Sequence, residues 1–300
     1  MEELKKRLSR CDICPRNCKV NRFDGELGYC GIRDKAVVHC AFLHRGEEPA
    51  ISGDRGSGTI FFSGCNLKCS YCQNYKFSWK PEGKPLSSKD LAKVMLDLQI
   101  KGAININLVT PTHLMPLILE ALLTALKEGL KLPIVYNTSG YEKEEIIKGL
   151  DGIIDIYLSD MKYLNSTIAE KYSRAANYPL MCIQSLKEMY RQKKLPLWKN
   201  GFLSSGLIIR HLVLPGQIED SKEILSWIEE NTPQALLSLM FQYQPYYKAK
   251  DFPEINRAID NEEYSRTSKY AQKLNLKGWV QEFSSNKSMA GPYFEPNIHI

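Results

Sequence analysis

Cys65, Cys69 and Cys72 place three thiols within eight residues as C-x3-C-x2-C, a group whose chemistry is metal chemistry. Structural zinc takes four ligands, usually as two C-x2-C-like pairs, and this triad has no fourth partner at matching spacing within it. Three thiolates suit an iron–sulfur cluster with one iron left open. A second group, Cys11, Cys14, Cys18 and Cys30, reads C-x2-C-x3-C-x11-C, with Pro15 after its second thiol and Gly31 after its last. Four thiols at short loop spacings, in a segment too small for a core of its own, predict that a metal organises it. Zinc and a second iron–sulfur cluster both fit. Cys40 and Cys182 stand apart and read as buried structural residues.

The rest of the composition narrows the setting. The 300 residues are 43% hydrophobic and 25% charged, which describes a chain that folds in water. Lys and Arg outnumber Asp and Glu by 40 to 34, a net +6 that falls short of a nucleic-acid binder's footprint. No stretch reaches the about 18 unbroken apolar residues of a membrane helix, and the start MEELKKRLSR lacks the apolar core of a signal peptide. A cytoplasmic protein without a membrane partner is expected. Nine cysteines, an odd number, in such a chain favour metal ligands over disulfides.

The elements that must position these thiols follow from periodicity. The short β-rich run 59–62 lies between Gly58 and Gly64, so the triad leaves the C-terminal end of a buried strand, where parallel α/β proteins place their ligands. Further strands are expected at 104–109, 133–136, 152–158, 206–214 and 236–242. Helices are expected from Ser87-Ser88-Lys89-Asp90 through Leu98, at 113–127, at EKEEIIKGL, at 165–174, at 182–193 and at 218–230. That makes about six strand–helix units, too few for a closed eight-unit barrel. Gly56-Ser57-Gly58 lacks the spacing of a phosphate-binding loop and reads as a turn. The segment from Asp251 carries a helix near 259–274 and then a polar and aromatic tail.

The stretch GCNLKCSYCQN, residues 64–74, resembles the cluster loop of radical S-adenosylmethionine (SAM) enzymes, including Tyr71 before the third cysteine. CDICPRNCKVNRFDGELGYCG resembles the N-terminal extension of the members related to pyruvate formate-lyase activating enzyme. With GDRGSGTIFFSGCNLKCSYCQNY and LVTPTH, the resemblance covers most of the chain. It implies an α/β fold, a partial (β/α)6 TIM-like barrel. Residues 56–250 would form the core, after a cysteine-rich extension at 1–55 and before a C-terminal helix and tail at 251–300. It implies a [4Fe-4S] cluster on Cys65, Cys69 and Cys72, and an activating-enzyme-like oxidoreductase that cleaves SAM reductively to a 5′-deoxyadenosyl radical. It further implies an electron donor such as flavodoxin or ferredoxin and a protein or peptide substrate, a glycyl residue of a partner being one form. True activases carry their extra cluster cysteines after the triad, which this chain does not.

In that reading SAM is met by Tyr71 and by polar groups at strand ends. Thr110 and Thr112 stand where the family has a Gly-Gly-Glu turn. Asn137-Thr138-Ser139-Gly140 is similar to the activases' Asp-Thr-Asn-Gly, which assigns Asn137 and Ser139 to the cofactor. Asp160-Met161-Lys162 matches their Asp-Leu-Lys, where the lysine meets the SAM carboxylate and the acid serves the ribose or the substrate. Arg210 and His211 would face the same mouth, as would Gln242 and Tyr243, although an isolated histidine such as His211 or His113 is more often a core residue. The rival from another class is a non-enzymatic iron–sulfur or zinc-binding protein.

Overall fold

In the computed structural model, which describes residues 2–281, the chain begins with α1 (Glu2–Lys6), a cysteine-bearing loop and β1 (Ala36–His44). There follow β2 (Ser57–Phe62), α2 (Tyr75–Ser78), β3 (Lys84–Leu86), α3 (Ser88–Ile100), β4 (Ile106–Val109), α4 (Met115–Lys127), β5 (Ile134–Thr138), α5 (Glu144–Lys148) and β6 (Ile156–Asp160). The second half adds α6 (Ser166–Ser173), α7 (Tyr178–Gln192), β7 (Leu197–Lys199), β8 (Phe202–Leu212), α8 (Ile218–Asn231), β9 (Leu236–Met240), α9 (Asn261–Ala271) and β10 (Lys277–Gln281).

The strands form one sheet in the order β10-β9-β8-β6-β5-β4-β2-β1-β3, with β7 paired to β8. From β2 to β10 the path is parallel, while β1 and β3 are antiparallel additions at one edge. The six expected strands are all present, and the fold is the mostly parallel α/β sheet of a partial barrel. β10 adds a seventh parallel strand from the segment expected to be helix and tail. Its sequence KGWVQ is short and does not alternate, so it carries no periodic signal. β6 starts only at Ile156, after a turn, and α7 starts at Tyr178 with Pro179 in its first turn, where a missing N–H costs nothing. Ser87 caps α3 as expected, its side chain accepting from the Asp90 N–H.

Side chains alternate across each central strand, and the two faces bury different cores. Ile134 and Tyr136, Tyr157, Leu207 and Ile209, and Leu237 and Leu239 pack outward beneath the helices. Val135, Ile156, Leu158, Ile208 and Leu236 point inward, where Ala50 and Ile51 join them. The same period of two carries Asn137, Asp160, Arg210 and Ser238 onto the inner face, and the register places Asp160 beside Arg210 and Arg210 beside Ser238.

Because β1 runs opposite to β2, the loop 45–56 lies at the N-terminal ends of the parallel strands. There Ala50 accepts from Leu203 N–H at 2.8 Å and Ile51 accepts from Asn105 Nδ2 at 2.6 Å. One loop reaching both the start of β4 and the start of β8 requires the sheet to curl, so this loop floors the concave side.

Candidate active site

The triad loop leaves β2 through Gly64, whose φ of +76° and whose approach to the Cys30 carbonyl leave no room for a side chain: a Cβ there would meet that oxygen at 2.6 Å. Cys65 and Cys69 are buried and Cys72 is half-buried. The Cys65 sulfur accepts from the Leu67 N–H at 3.3 Å, and the Cys72 sulfur meets Ser78 Oγ at 3.3 Å. Several elements pin the loop's backbone. Trp79 Nε1 donates to Cys69 O at 3.3 Å, Ser70 N–H to Tyr172 O at 2.8 Å, and Lys248 N–H to Ser70 O at 2.9 Å.

Burial raises the Cys65 thiol above its ordinary pKa and pushes Cys72 up to about 12. Thiols so placed ionise when a metal supplies the compensating charge. Three sulfurs, with backbone N–H groups aimed at those of Cys65 and Cys72, therefore fit the donor set of an iron–sulfur cluster. Among the described residues no set of three or more His, Cys, Asp or Glu already stands in metal-holding geometry, so binding at either cysteine group requires the thiols to close in.

Beside the loop, the inner-face residues form a charged network. Arg210 Nε lies 2.8 Å from Asp160 Oδ1, and Lys162 Nζ lies 2.6 Å from Asp160 Oδ2. Arg210 also donates to Asn137 Oδ1 at 2.6 Å and stands 3.5 Å from Glu47 Oε1. Burial works against ionising Asp160, but Arg210 and Lys162 outweigh it and hold the carboxyl below its usual range. Burial likewise opposes the Lys162 charge, and Asp160 and Cys69 restore it. Lys162 is thus the cation that links the strand-end network to the triad.

A second cluster sets one carboxyl among hydroxyls. Thr110, at the end of β4, sits at φ +60°, a left-handed conformation that costs a β-branched residue about 1–3 kcal/mol and is typical of functional sites. Thr112 Oγ1 donates to Glu142 Oε1 at 2.5 Å, and Thr138 Oγ1 donates to the same oxygen. Glu142 is fully buried, and burial pushes its carboxyl up to about 7 against the hydroxyls that stabilise the anion. The Ser139 hydroxyl is buried with no hydrogen-bond partner among the described residues. Its carbonyl accepts from Tyr178 Oη at 2.8 Å.

Asn137, Asp160, Lys162 and Arg210 are therefore brought into one network. Thr112 is joined to Thr138 and Glu142 instead, and Tyr71 turns into the core, its hydroxyl 2.7 Å from that of Tyr163 and its ring edge-on to Tyr243. His211, bonded to Met161 O and Ser221 Oγ, and His113, bonded to Ser63 O, are buried, and burial lowers them to about 4 and about 3. Both are neutral core residues. Cys40 and Cys182 are buried singly.

Sequence reasoning missed three acids. Glu47 accepts from Asn107 Nδ2 at 2.9 Å and from Asn137 Nδ2 at 3.2 Å. Glu48 accepts from Trp279 Nε1 at 2.8 Å and Gln281 Nε2 at 2.9 Å. Both come from the floor loop, and no local pattern marks a loop that inserts into a sheet's concave side. Glu142 was legible only as an acid before a short helix.

A model of the radical SAM superfamily matches residues 59–228. An uncharacterized protein of Methanocaldococcus jannaschii is 34% identical over 286 residues, covering 92% of this chain and 78% of that protein. A second uncharacterized protein of the same organism is 23% identical over 272 residues, covering 84% and 75%. Among solved structures, methylornithine synthase superposes with a TM-score of 0.50 at 15% identity, over 73% of this chain and 63% of that one, a likeness of fold. A domain of a pyruvate-formate lyase-activating enzyme from Bacteroides vulgatus gives 0.39 at 12% identity, over 55% and 89%. The family model spans more than half of the chain, and by that match this protein belongs to the radical SAM superfamily.

Proposed function

We propose that this protein is a SAM-cleaving oxidoreductase that takes a hydrogen atom from a protein or peptide substrate, with Cys65, Cys69 and Cys72 holding a [4Fe-4S] cluster. When bound, the reduced cluster supplies one electron that breaks a carbon–sulfur bond of SAM, yielding methionine and a 5′-deoxyadenosyl radical that abstracts the substrate hydrogen. The observation that carries this reading is the Lys162 ammonium, held at 2.6 Å by Asp160 and within electrostatic range of Cys69. A cation fixed there attracts the SAM carboxylate toward the triad, in a low-dielectric site where the interaction is strengthened.

Asp160 and Asn137 offer acceptors to a ribose, and Arg210 keeps both oriented. The Ser139 hydroxyl, unpartnered among the described residues, and the left-handed Thr110 supply further polar groups. Residues 56–250 act as the catalytic core in this reading, with 1–55 as the cysteine-rich extension and 251–281 packing on the core, while the expected tail at 282–300 lies outside the described residues.

An acidic electron donor of the flavodoxin or ferredoxin kind is favoured by the loop's outer side. There the Lys248 ammonium lies 4.7 Å from the Trp79 ring, the Arg174 guanidinium 5.9 Å from it, and the Trp79 indole donates to Cys69 O.

The test is anaerobic reconstitution with iron and sulfide, reduction by dithionite and quantification of 5′-deoxyadenosine from added SAM. The parent is expected to produce it, and the combined Cys65→Ala, Cys69→Ala, Cys72→Ala variant to produce none. A parent that fills its cluster, reduces, and still leaves SAM intact would overturn the reading.

A further inference from the structure

The four N-terminal cysteines do not belong to the mouth, yet they are built against it. Their segment is a closed loop. Cys11 N–H donates to Val20 O and Lys19 N–H to Cys11 O, each at 2.8 Å, and Asn17 N–H donates back to Cys14 O at 3.1 Å. Backbone N–H groups point at three of the sulfurs: Arg16 at Cys14, Ile32 at Cys30, and Tyr29 at Cys18 with 3.2 Å. Donation from two residues onward, as at Cys14 and Cys30, is the turn by which a main chain wraps a metal-bound thiolate. Cys11, Cys18 and Cys30 all lie within electrostatic range of Cys14. Apart from these cysteines, few apolar side chains of the segment are buried, Ile13 and Ile32 among them, too few to fold it unaided.

An independent observation gives the charge of what is bound. Arg22 is only 1% exposed, and its guanidinium donates to the carbonyls of Arg33 and His113, neutral groups. Buried charges are ordinarily paired with an opposite charge. Cys30 is a group within electrostatic reach of Arg22 that could become an anion, and Lys68, which faces Cys65 first, reaches it as well. Four thiols that give up their protons to a divalent cation leave a site of charge −2, with four protons released, which answers this pair of cations. Gly28 lies close against this group, since a Cβ there would meet the Cys18 sulfur at 3.0 Å. Four thiols with no open position match the closed tetrahedral shell of a structural zinc ion.

The loop then grips the triad. Arg16, midway between Cys14 and Cys18, sends Nε to Asn66 O at 2.7 Å, Nη2 to Leu67 O at 3.2 Å and Ser173 O at 3.0 Å, and Nη1 to Arg174 O at 2.5 Å. Its guanidinium stacks 3.9 Å over Tyr29, the residue before Cys30, whose hydroxyl also donates to Leu67 O at 3.4 Å. Asn66 and Leu67 are the residues that follow Cys65.

We propose that Cys11, Cys14, Cys18 and Cys30 bind one zinc ion as four thiolates, and that this site is the clasp of the triad loop, acting through Arg16 and Tyr29. The zinc assignment stands apart from the proposed SAM cleavage, and only the clasp's usefulness rests on that reading.

The test uses the full chain carrying Cys65→Ala, Cys69→Ala and Cys72→Ala, grown with zinc and purified anaerobically. About one zinc per chain is expected, with zinc-edge absorption showing four sulfurs at about 2.3 Å. Zinc below a tenth per chain, nitrogen or oxygen ligands, or about four irons per chain bound in its place would overturn the zinc site. Adding Cys14→Ser and Cys30→Ser should remove the zinc, and the absorption measurement decides the matter should that variant fail to fold. For the clasp, hydrogen exchange over residues 64–74 should quicken at least tenfold when zinc is chelated, and again in Arg16→Met with its zinc retained. Exchange unchanged by either would refute it. Failure of 5′-deoxyadenosine production alone would leave both results standing.

Discussion

Asp160 and Glu142 are two carboxyls that burial treats alike and their partners treat differently. Asp160 faces two cations, Arg210 at 2.8 Å and Lys162 at 2.6 Å, and stays ionised below its usual range. Glu142 faces the hydroxyls of Thr112 and Thr138 and is pushed up to about 7. Dipoles of neutral hydroxyls therefore do not repay the desolvation of a carboxylate, whereas full charges do. The consequence is a division of labour. One acid is a fixed anion that holds Arg210 and Lys162 in place, and the other carries a proton that comes and goes near neutral pH beside the turn that bears Thr110 and Thr112.

The comparison breaks hardest at Arg210. Replacing it by Met removes one cation from Asp160 and the nearby charge from Glu47, leaving buried carboxylates underpaired. Breaking a buried pair from one side costs about 3–5 kcal/mol, and urea unfolding at pH 8 should show a loss of that order. Production of 5′-deoxyadenosine should fall with it. A loss under about 1 kcal/mol, the worth of an exposed pair, would mean that Arg210 is not what keeps Asp160 ionised.

Next in size is the pH dependence. Glu142 has a folded pKa near 7, raised from 4.5, so between those values the folded chain binds more protons than the unfolded one. Stability from this group is then full below about pH 4.5 and is lost as pH climbs to about 7, an amount on the order of 3 kcal/mol. Asp160 has the opposite sign, its contribution being present above the ordinary 3.8 and lost as pH falls beneath it. Glu142→Gln should flatten the stability profile between pH 5 and 7 and leave the acid limb intact. A profile of the variant parallel to that of the parent would show that Glu142 is not the group that titrates.

Much of this molecule was legible before its coordinates. The six core strands were readable because each is a short apolar run bounded by turn residues, and the triad because its spacing has no good structural explanation. Asp160, Lys162, Asn137 and Arg210 were singled out as polar residues at strand ends, the first three also by the resemblance of their motifs, and the fold joins all four in one hydrogen-bonded network. What escaped depends on contacts distant in sequence. Glu47 and Glu48 reach Asn107, Asn137 and Gln281 only because the floor loop inserts into the curled sheet. Arg16 reads as one basic residue among many until the fold sets residues 66 and 174 against it. Tyr71 looked like a cofactor contact from its place in the loop, but the neighbouring Tyr163 draws its hydroxyl inward.

A smaller effect is expected at Lys162. Lys162→Met leaves Arg210 on Asp160, so the carboxylate keeps one full partner, and the loss of stability should be about 1–2 kcal/mol. If Lys162 meets the SAM carboxylate, the dissociation constant for SAM should rise about tenfold or more, one lost charged contact being worth at least about 1.4 kcal/mol. Equilibrium binding to the reconstituted protein separates the two quantities. Unchanged SAM affinity with lowered stability would confine Lys162 to the ion pair.

The finest test is on the hydroxyl side. Thr138→Val removes one donor from Glu142 while Thr112 remains, a change worth about 1.5 kcal/mol when the acceptor is charged and less when it is neutral. The cost should therefore grow as pH rises through the Glu142 titration, being small at pH 5 and near its full value at pH 8. The fall in stability that ends near pH 7 in the parent should also end at a higher pH in the variant, because the lost hydrogen bond favoured the carboxylate. Measuring unfolding of both proteins at matched pH values gives the difference directly. An equal cost at pH 5 and pH 8 would mean that Thr138 binds Glu142 in one protonation state throughout, and the contrast with Asp160 would then rest on packing instead of charge.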